Sequence, residues 1–282
     1  MNKDIYVLFG YPLQNSLSPK IHNSSLQKSL YFNQPVKPEN LSFAIEAIKK
    51  FSWKGANITI PHKVNVIKYL NELSDNAKII GAVNTISNLN GYLVGHNTDV
   101  IGFLKTLPKE LSRDKAVIIG AGGAARAVIL SLIQFGYKRI DIINRTFNKA
   151  KFLKNYYEEL FNDIQLNAYK LSAIDTKLEG NILINCTPLD NPIPDDSIKY
   201  LVNFECVYDL KYLSNSNLLL RAKQLNVKHT INGLEMLILQ AAYSQKIWTG
   251  NLPNLELIKE ALKWDIFLLD LWKVEKQQWV KG

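Results

Sequence analysis

Cysteine is almost missing: Cys186 and Cys206 are the only two in 282 residues, in no C-x-x-C arrangement and beside no histidine pair. That excludes a disulfide framework and a structural zinc site, and leaves two small buried hydrophobes as the expectation. Histidine is scarce too. His22, His62, His96 and His229 lack metal-ligand spacing, so no metal is expected and none of them is assigned a chemical role. No apolar stretch nears the roughly 18 residues of a membrane span, and the opening MNKDIYVLFGYP has too short an apolar run for a signal peptide. A cytoplasmic protein without membrane contact is expected. Internal repeats, low-complexity tracts and zinc-finger, KH or RNP signatures are also lacking. The net charge of +9 comes from scattered lysines, which suits a small anionic ligand better than nucleic acid.

What is present is the composition of a globular enzyme: 47% hydrophobic and 21% charged residues exclude disorder, and the length allows one large or two ordinary domains. Strand-length apolar runs alternate with helical patterns: IYVLFG, then SPKIHNSSLQKSL with Ser18 as N-cap and Pro19 at the first helical position, then LSFAIEAIKKF, ANITI and VNVIKYLNEL. That rhythm predicts a parallel α/β sheet. Asn90-Gly91 within NTISNLNGYLVGH predicts a hairpin and an antiparallel edge to the first sheet. A second series runs from KAVIIGAGGAARAVILSLIQFG through RIDIINR, AKFLKNYYEEL, ILINCTP, CVYDL and NSNLLLRAKQLN. Five strand-like runs, with helices between most of them, predict a doubly wound domain. LELIKEALKWDIFLLDLW reads as a closing helix, too apolar for one stripe and therefore buried against the first domain or a partner subunit.

The expected organisation is an N-terminal α/β substrate domain over 1–102, mostly parallel in its sheet and completed by C-terminal helices over 237–282. A doubly wound, Rossmann-type domain over 103–236 follows, with a cleft between the two.

Gly120, Gly122 and Ala125 fit G-x-G-x-x-A directly after an apolar strand and before an apolar helix. The first glycine permits the turn, the second lets the backbone approach a diphosphate, and the helix start offers free N–H donors. About twenty residues on, an NAD site places an acid; this chain has Asn144, Arg145 and Thr146, then Lys149. An acid would repel a 2′-phosphate, whereas an arginine fork, a hydroxyl and an ammonium would bind one, so NADP(H) is the expected cofactor.

In ANITIPHK, strand alternation places Asn57, Thr59, Pro61 and Lys63 on one side and Ile58, Ile60 and His62 on the other. Ser16 and Ser18, at the mouth of a helix, suit a carboxylate, and Asn84 suits a hydroxyl. Asp99 is expected at the end of a hairpin strand. Lys63 and Asp99 are the best acid/base candidates, the lysine as proton donor to a developing alkoxide and the aspartate as its orienter.

Together S-x-S-P-x-x-H-N (16–23), N-I-T-x-P-x-K (57–63), A-V-N-T (82–85), N-T-D (97–99), G-A-G-G-A-A (120–125), N-R-T (144–146) and G-x-x-M-L-x-x-Q (233–240) make this chain resemble the shikimate dehydrogenase family. The resemblance implies a two-domain enzyme, monomer or homodimer, that reduces 3-dehydroshikimate to shikimate with NADPH on the way to the aromatic amino acids. It implies Lys63 and Asp99 as the catalytic pair, and Ser16, Ser18, Thr59, Asn84, Gln240 and Tyr208 as substrate ligands. For the cofactor it implies Gly120, Ala121, Gly122, Gly123 and Ala124, then Asn144, Arg145, Thr146 and Lys149, with Asp75, Cys206 and Gly233. One departure stands out: NCTPLDN carries Asp190 where the family commonly has glycine. If the family's glycine has a positive φ, aspartate tolerates that conformation less well, and its presence implies a shifted loop near the nicotinamide.

Two other readings remain open. A relative using quinate, possibly with NAD, is disfavoured by Arg145 and by Ser18, which resembles the shikimate-selective form. A nucleotide-sensing protein on the same fold would be expected to lose the acid/base pair, and both members are here.

Overall fold

Strand β1 (Asp4–Gly10) carries the first apolar run and buries its last five residues. In the computed structural model, which describes residues 3–13, 16–176, 178–212 and 216–263, the chain divides into two units: Met1–Gly102 with Ile238–Gly282, and Phe103–Leu237.

In the first unit β1 leads through α1 (Ser18–Ser25) to β2 (Ser29–Pro35), which pairs with it in parallel from Asp4↔Ser29 to Gly10↔Pro35. The helix expected to continue through SLQKSL therefore ends early, and SLYFNQP is a strand. Ser24 and Ser25 turn their hydroxyls back onto the Ile21 carbonyl, and Lys28 takes a left-handed φ of 59°, which ends the helical ladder. Nor is Ser18 the N-cap. Leu17 holds that position, and Ser18 is the first helical residue, with its N–H 3.3 Å from Ser16 Oγ.

There follow α2 (Leu41–Lys50), β3 (Gly55–Ile58), β4 (Glu72–Leu73), α3 (Asp75–Ile80), β5 (Thr85–Leu89), β6 (Tyr92–His96) and α4 (Asp99–Leu104). The sheet order is β2-β1-β3-β5-β6-β4, with β5 antiparallel to β3 and β6. The hairpin forms as expected around Asn90 (φ 54°) and Gly91 (φ 95°), both left-handed as a two-residue I′ turn requires. VNVIKYLNEL is not an α-helix: Asn65–Tyr69 makes 3₁₀ turns, Leu70 goes extended, and Asn71 bonds through its N–H and Oδ1 to Leu93. The tiny β4 that results, and not the hairpin, forms the outer edge.

The alternation expected along ANITIPHK ends at Ile58. All of β3 is buried, Asn57 included, and the turn that follows leaves Ile60 74% exposed and His62 1%. Helix α2 packs over Val7, Phe9, Ala56 and Ile58 on one face of the sheet. The other face is met by α8 (Leu234–Thr249), whose Trp248 stacks on Tyr6 at 4.5 Å and donates to the Ile86 carbonyl. The expected closing helix, 255–272, is helical over 255–263, and its remainder lies outside the described residues.

The second unit contains β7 (Ala116–Ile119), α5 (Gly123–Phe135), β8 (Arg139–Asn144), α6 (Phe147–Leu160), β9 (Gln165–Lys170), β10 (Ile182–Asn185), β11 (Cys206–Asp209), α7 (Asn217–Gln224) and β12 (His229–Asn232). These strands form an all-parallel sheet ordered β12-β11-β10-β7-β8-β9. Six strands replace the expected five. The edge strands, QLNAYK and HTIN, are interrupted by polar residues and lack an unbroken apolar run. Strand order reverses between β7 and β10, and in an open sheet that switch point, at the carboxyl ends, is where ligands bind. Among the described residues no helix is long and apolar enough to cross a membrane.

Candidate functional site

At the switch point of the second unit β7 ends at Ile119, and Gly120 turns the chain with φ +110°. A Cβ there would be strained and would lie 3.2 Å from the Cys186 carbonyl. Gly122 is the N-cap of α5, and a Cβ built on it or on Gly123 meets nothing within 4 Å. The space over the helix start is thus open to a diphosphate, with unpaired N–H groups and the positive dipole end beneath it. At the end of β8, Arg145, Thr146 and Lys149 are exposed, Thr146 caps α6 without using its hydroxyl, and Asn144 Nδ2 shapes the loop by donating to the Thr146 carbonyl at 2.9 Å. No carboxylate stands there, so the donor set fits a phosphorylated ribose.

Gly233 follows β12 and donates its N–H to the Lys211 carbonyl at 2.9 Å. A Cβ on Gly233 would fall 2.0 Å from the Leu210 carbonyl oxygen, which is backbone and cannot swing away. Gly233→Ala is therefore expected to cost about 1–3 kcal/mol, read as a lowered urea midpoint at unchanged m-value.

Two expected ligands are corrected. Cys206 is fully buried at the amino end of β11, in register through Ile182 with Ala116, so it sits a strand's length from the glycine turn. Tyr208 is fully buried as well, with its hydroxyl 2.9 Å from Thr106 Oγ1 and its ring against Phe103. The tyrosine at the ligand-binding edge is Tyr212, half-buried three residues past the strand, its phenol pKa raised by burial. Both tyrosines lie in VYDLKY; only the point where the strand stops tells them apart. Asp190 does not need glycine's freedom either. It is not among the positive-φ residues, and its carboxylate pairs with Lys211.

In the first unit Lys63 Nζ donates to Asp99 Oδ2 at 2.6 Å, with the side chains 19% and 10% exposed. The contact is fixed by backbone. The Lys63 carbonyl takes the Val83 N–H, while Asn84 is pinned between Ile58 and His96. Asp99 opens α4 rather than ending a strand, and its N–H is held by Asn97 Oδ1. Asn84 Nδ2 lies 2.9 Å from Asp99 Oδ1 and 3.3 Å from Gln240 Oε1, and Asn84 Oδ1 takes the Thr98 N–H at 2.8 Å. Lys63, Asp99, Asn84 and Gln240 are thus one bonded group, drawn from two loops, the start of α4 and α8.

Beneath it lies a buried polar layer that sequence reasoning missed. Asn57 Nδ2 bonds Thr85 Oγ1 and Ser244 Oγ, and Asn57 Oδ1 accepts from Tyr31. Thr59 follows two residues after Asn57, packed on Gly10. Asp75 opens α3, pairs with Lys78 at 3.7 Å, and borders a hollow of about 380 Å³ with His96, Asn97 and Tyr243. Among the described residues no group of three or more His, Cys, Asp or Glu is placed to hold a metal ion.

A doubly wound unit built for a phosphorylated dinucleotide, in one chain with an α/β unit carrying a lysine–carboxylate pair, defines an NADP-dependent oxidoreductase. Family profiles match along most of the length: a shikimate dehydrogenase substrate binding domain over 8–86, shikimate/quinate 5-dehydrogenase over 103–199, and a shikimate 5′-dehydrogenase C-terminal domain over 233–263. The shikimate dehydrogenase (NADP+) of Caldanaerobacter subterraneus subsp. tengcongensis is 38% identical over 274 residues, covering 92% of this chain and 96% of that one. The enzyme of the same name from Methanocaldococcus jannaschii is 41% identical over 90% of this chain and 94% of its own. A solved shikimate dehydrogenase in complex with NADP+ matches at a TM-score of 0.84 and 36% identity, covering 94% of this chain and 96% of that one. The chain belongs to the shikimate dehydrogenase family.

Proposed function

We propose that this protein catalyses the reversible reduction of 3-dehydroshikimate to shikimate with NADPH, in the cytoplasm, on the route to the aromatic amino acids. The observation that carries the reading is the 2.6 Å contact of Lys63 with Asp99, whose other oxygen is held by Asn84. Ser16 and Ser18 take the substrate carboxylate; Thr59, Asn84 and Gln240 take its hydroxyls. When the ring carbonyl is reduced, Lys63 Nζ gives its proton to the carbonyl oxygen, and its positive charge offsets the negative charge growing there. Asp99 keeps Nζ on target, and its fixed Oδ1 prevents the pair from swinging apart. Bound NADPH supplies the hydride. Gly120 to Ala124 hold its diphosphate, Asn144, Arg145, Thr146 and Lys149 its 2′-phosphate, with Asp75 and Gly233 as further contacts.

Loss of NADPH absorbance on adding 3-dehydroshikimate tests the reading, and a folded protein that binds NADPH but leaves it unoxidised would overturn it. Running quinate and NAD in parallel separates the quinate-using alternative, for which turnover of quinate would match that of shikimate. Arg145→Ala is expected to raise the KM for NADPH about tenfold while leaving that for NADH nearly unchanged, because only the phosphorylated ribose loses a charge-assisted fork. Equal changes for both cofactors would contradict the assignment.

A further inference from the structure

The loops that leave β10 and β11 are joined in two layers. Inside, Asn185 Nδ2 donates to Asp209 Oδ1 at 3.0 Å, and both residues are fully buried. Outside, Lys211 Nζ pairs with Asp190 Oδ1, the lysine side chain 23% and the aspartate 65% exposed. The loop carrying Asp190 also reaches the glycine turn. Thr187 is fastened to Asn185 Oδ1 through its N–H and its hydroxyl, and a Cβ on Gly120 would lie 3.0 Å from Thr187 Cγ2. The loop carrying Lys211 is tied in turn to Gly233 by the 2.9 Å bond to its N–H. A displacement of residues 186–190 would thus be felt at Gly120.

We infer that Asp190 and Lys211 are positioning residues whose ion pair fastens the 186–190 loop against the Gly120 turn and so strengthens NADPH binding in a salt-dependent way. This rests on reading Gly120 to Ala124 as the NADPH loop. Without the pair, ordering the loop becomes part of the cost of binding. Being partly exposed, the pair contributes modestly and is screened by salt. A plain field effect of the two charges is distinguishable. Freeing the Lys211 cation would tighten an anionic ligand and removing it would weaken one, whereas loss of a fastener weakens binding in both variants.

The experiment is titration of the full-length protein with NADPH, followed by cofactor fluorescence, at low salt and near 1 M salt. Asp190→Asn and Lys211→Met are each expected to weaken binding about two- to fivefold at low salt, with the difference from the parent vanishing at high salt. The charge-swapped double variant, Asp190→Lys with Lys211→Asp, restores most of the loss, and in turnover the KM for NADPH rises more than kcat falls. Opposite shifts in the two single variants, parental affinity in both, or no recovery in the swap would overturn the inference. Failure of the parent protein to bind NADPH would overturn it together with the cofactor reading, so the two failures are told apart.

Discussion

Lys63→Ala lowers kcat about a hundred- to ten-thousandfold, while NADPH binding and the folded state persist. Two losses combine: the proton for the new hydroxyl has no nearby donor, and the charge on the oxygen has no cation beside it. The size of the effect follows from how firmly Nζ is held. Its contact with Asp99 is short, the carboxylate is anchored at its other oxygen by Asn84, and the Asp99 backbone N–H donates to Asn97 Oδ1. Cofactor binding is spared because the glycine turn and the Arg145 strand end belong to the second unit, whereas Lys63 belongs to the first. Steady-state kinetics with NADPH titration of the variant checks both halves. A variant within tenfold of the parent kcat would remove Lys63 from the chemistry.

Below pH 6.5 acid destabilises the protein through His22, while Asp209, whose carboxyl is raised by burial, acts in the opposite direction. His22 is 1% exposed, stacked on Tyr31 at 4.1 Å, and burial pushes its pKa from 6.5 down to about 3. Gln245 Nε2 approaches its Nδ1 at 3.2 Å as a donor, so the ring is neutral with its proton on Nε2. Between pH 6.5 and about 3 the unfolded chain binds a proton here that the folded chain refuses, so stability falls as pH falls, by about 1.4 kcal/mol per unit. At pH 5 the loss from this residue is about 2 kcal/mol. His96, also lowered by burial, acts in the same direction. Glu205 is held below its usual 4.5, so its contribution is present above that value and is lost only further into acid. Urea unfolding from pH 7 to 5, with the His22 imidazole followed by NMR, checks the claim. A His22 ring titrating near 6.5 in the folded protein would sink it.

Much of the site was legible because its chemistry lies in short local patterns. The glycine turn needs only a strand, two glycines and a helix start in sequence, and Arg145 needs only the strand that ends beside it. Lys63 and Asp99 stood out as a pair because each ends a recognisable motif. The buried layer of Asn57, Thr85, Ser244 and Tyr31 was not legible. Asn57 looks like a solvated strand residue until β5, α8 and β2 close over it. Tyr208 and Cys206 were misplaced for a related reason. A parallel strand buried on both faces shows no alternation, so nothing local says how deep each residue lies or where the strand stops.

The sequence by itself determined two alternating α/β units, the hairpin at Asn90-Gly91, the nucleotide turn and its preference for a phosphorylated ribose, because each depends on backbone conformation or charge within a few residues. Only the tertiary structure decided that SLYFNQP is a strand, that Tyr212 and not Tyr208 stands at the ligand-binding edge, and that Asp190 is tied to Lys211. Those outcomes depend on partners distant in the chain, whose hydrogen bonds and packing override local propensity once the sheet is formed.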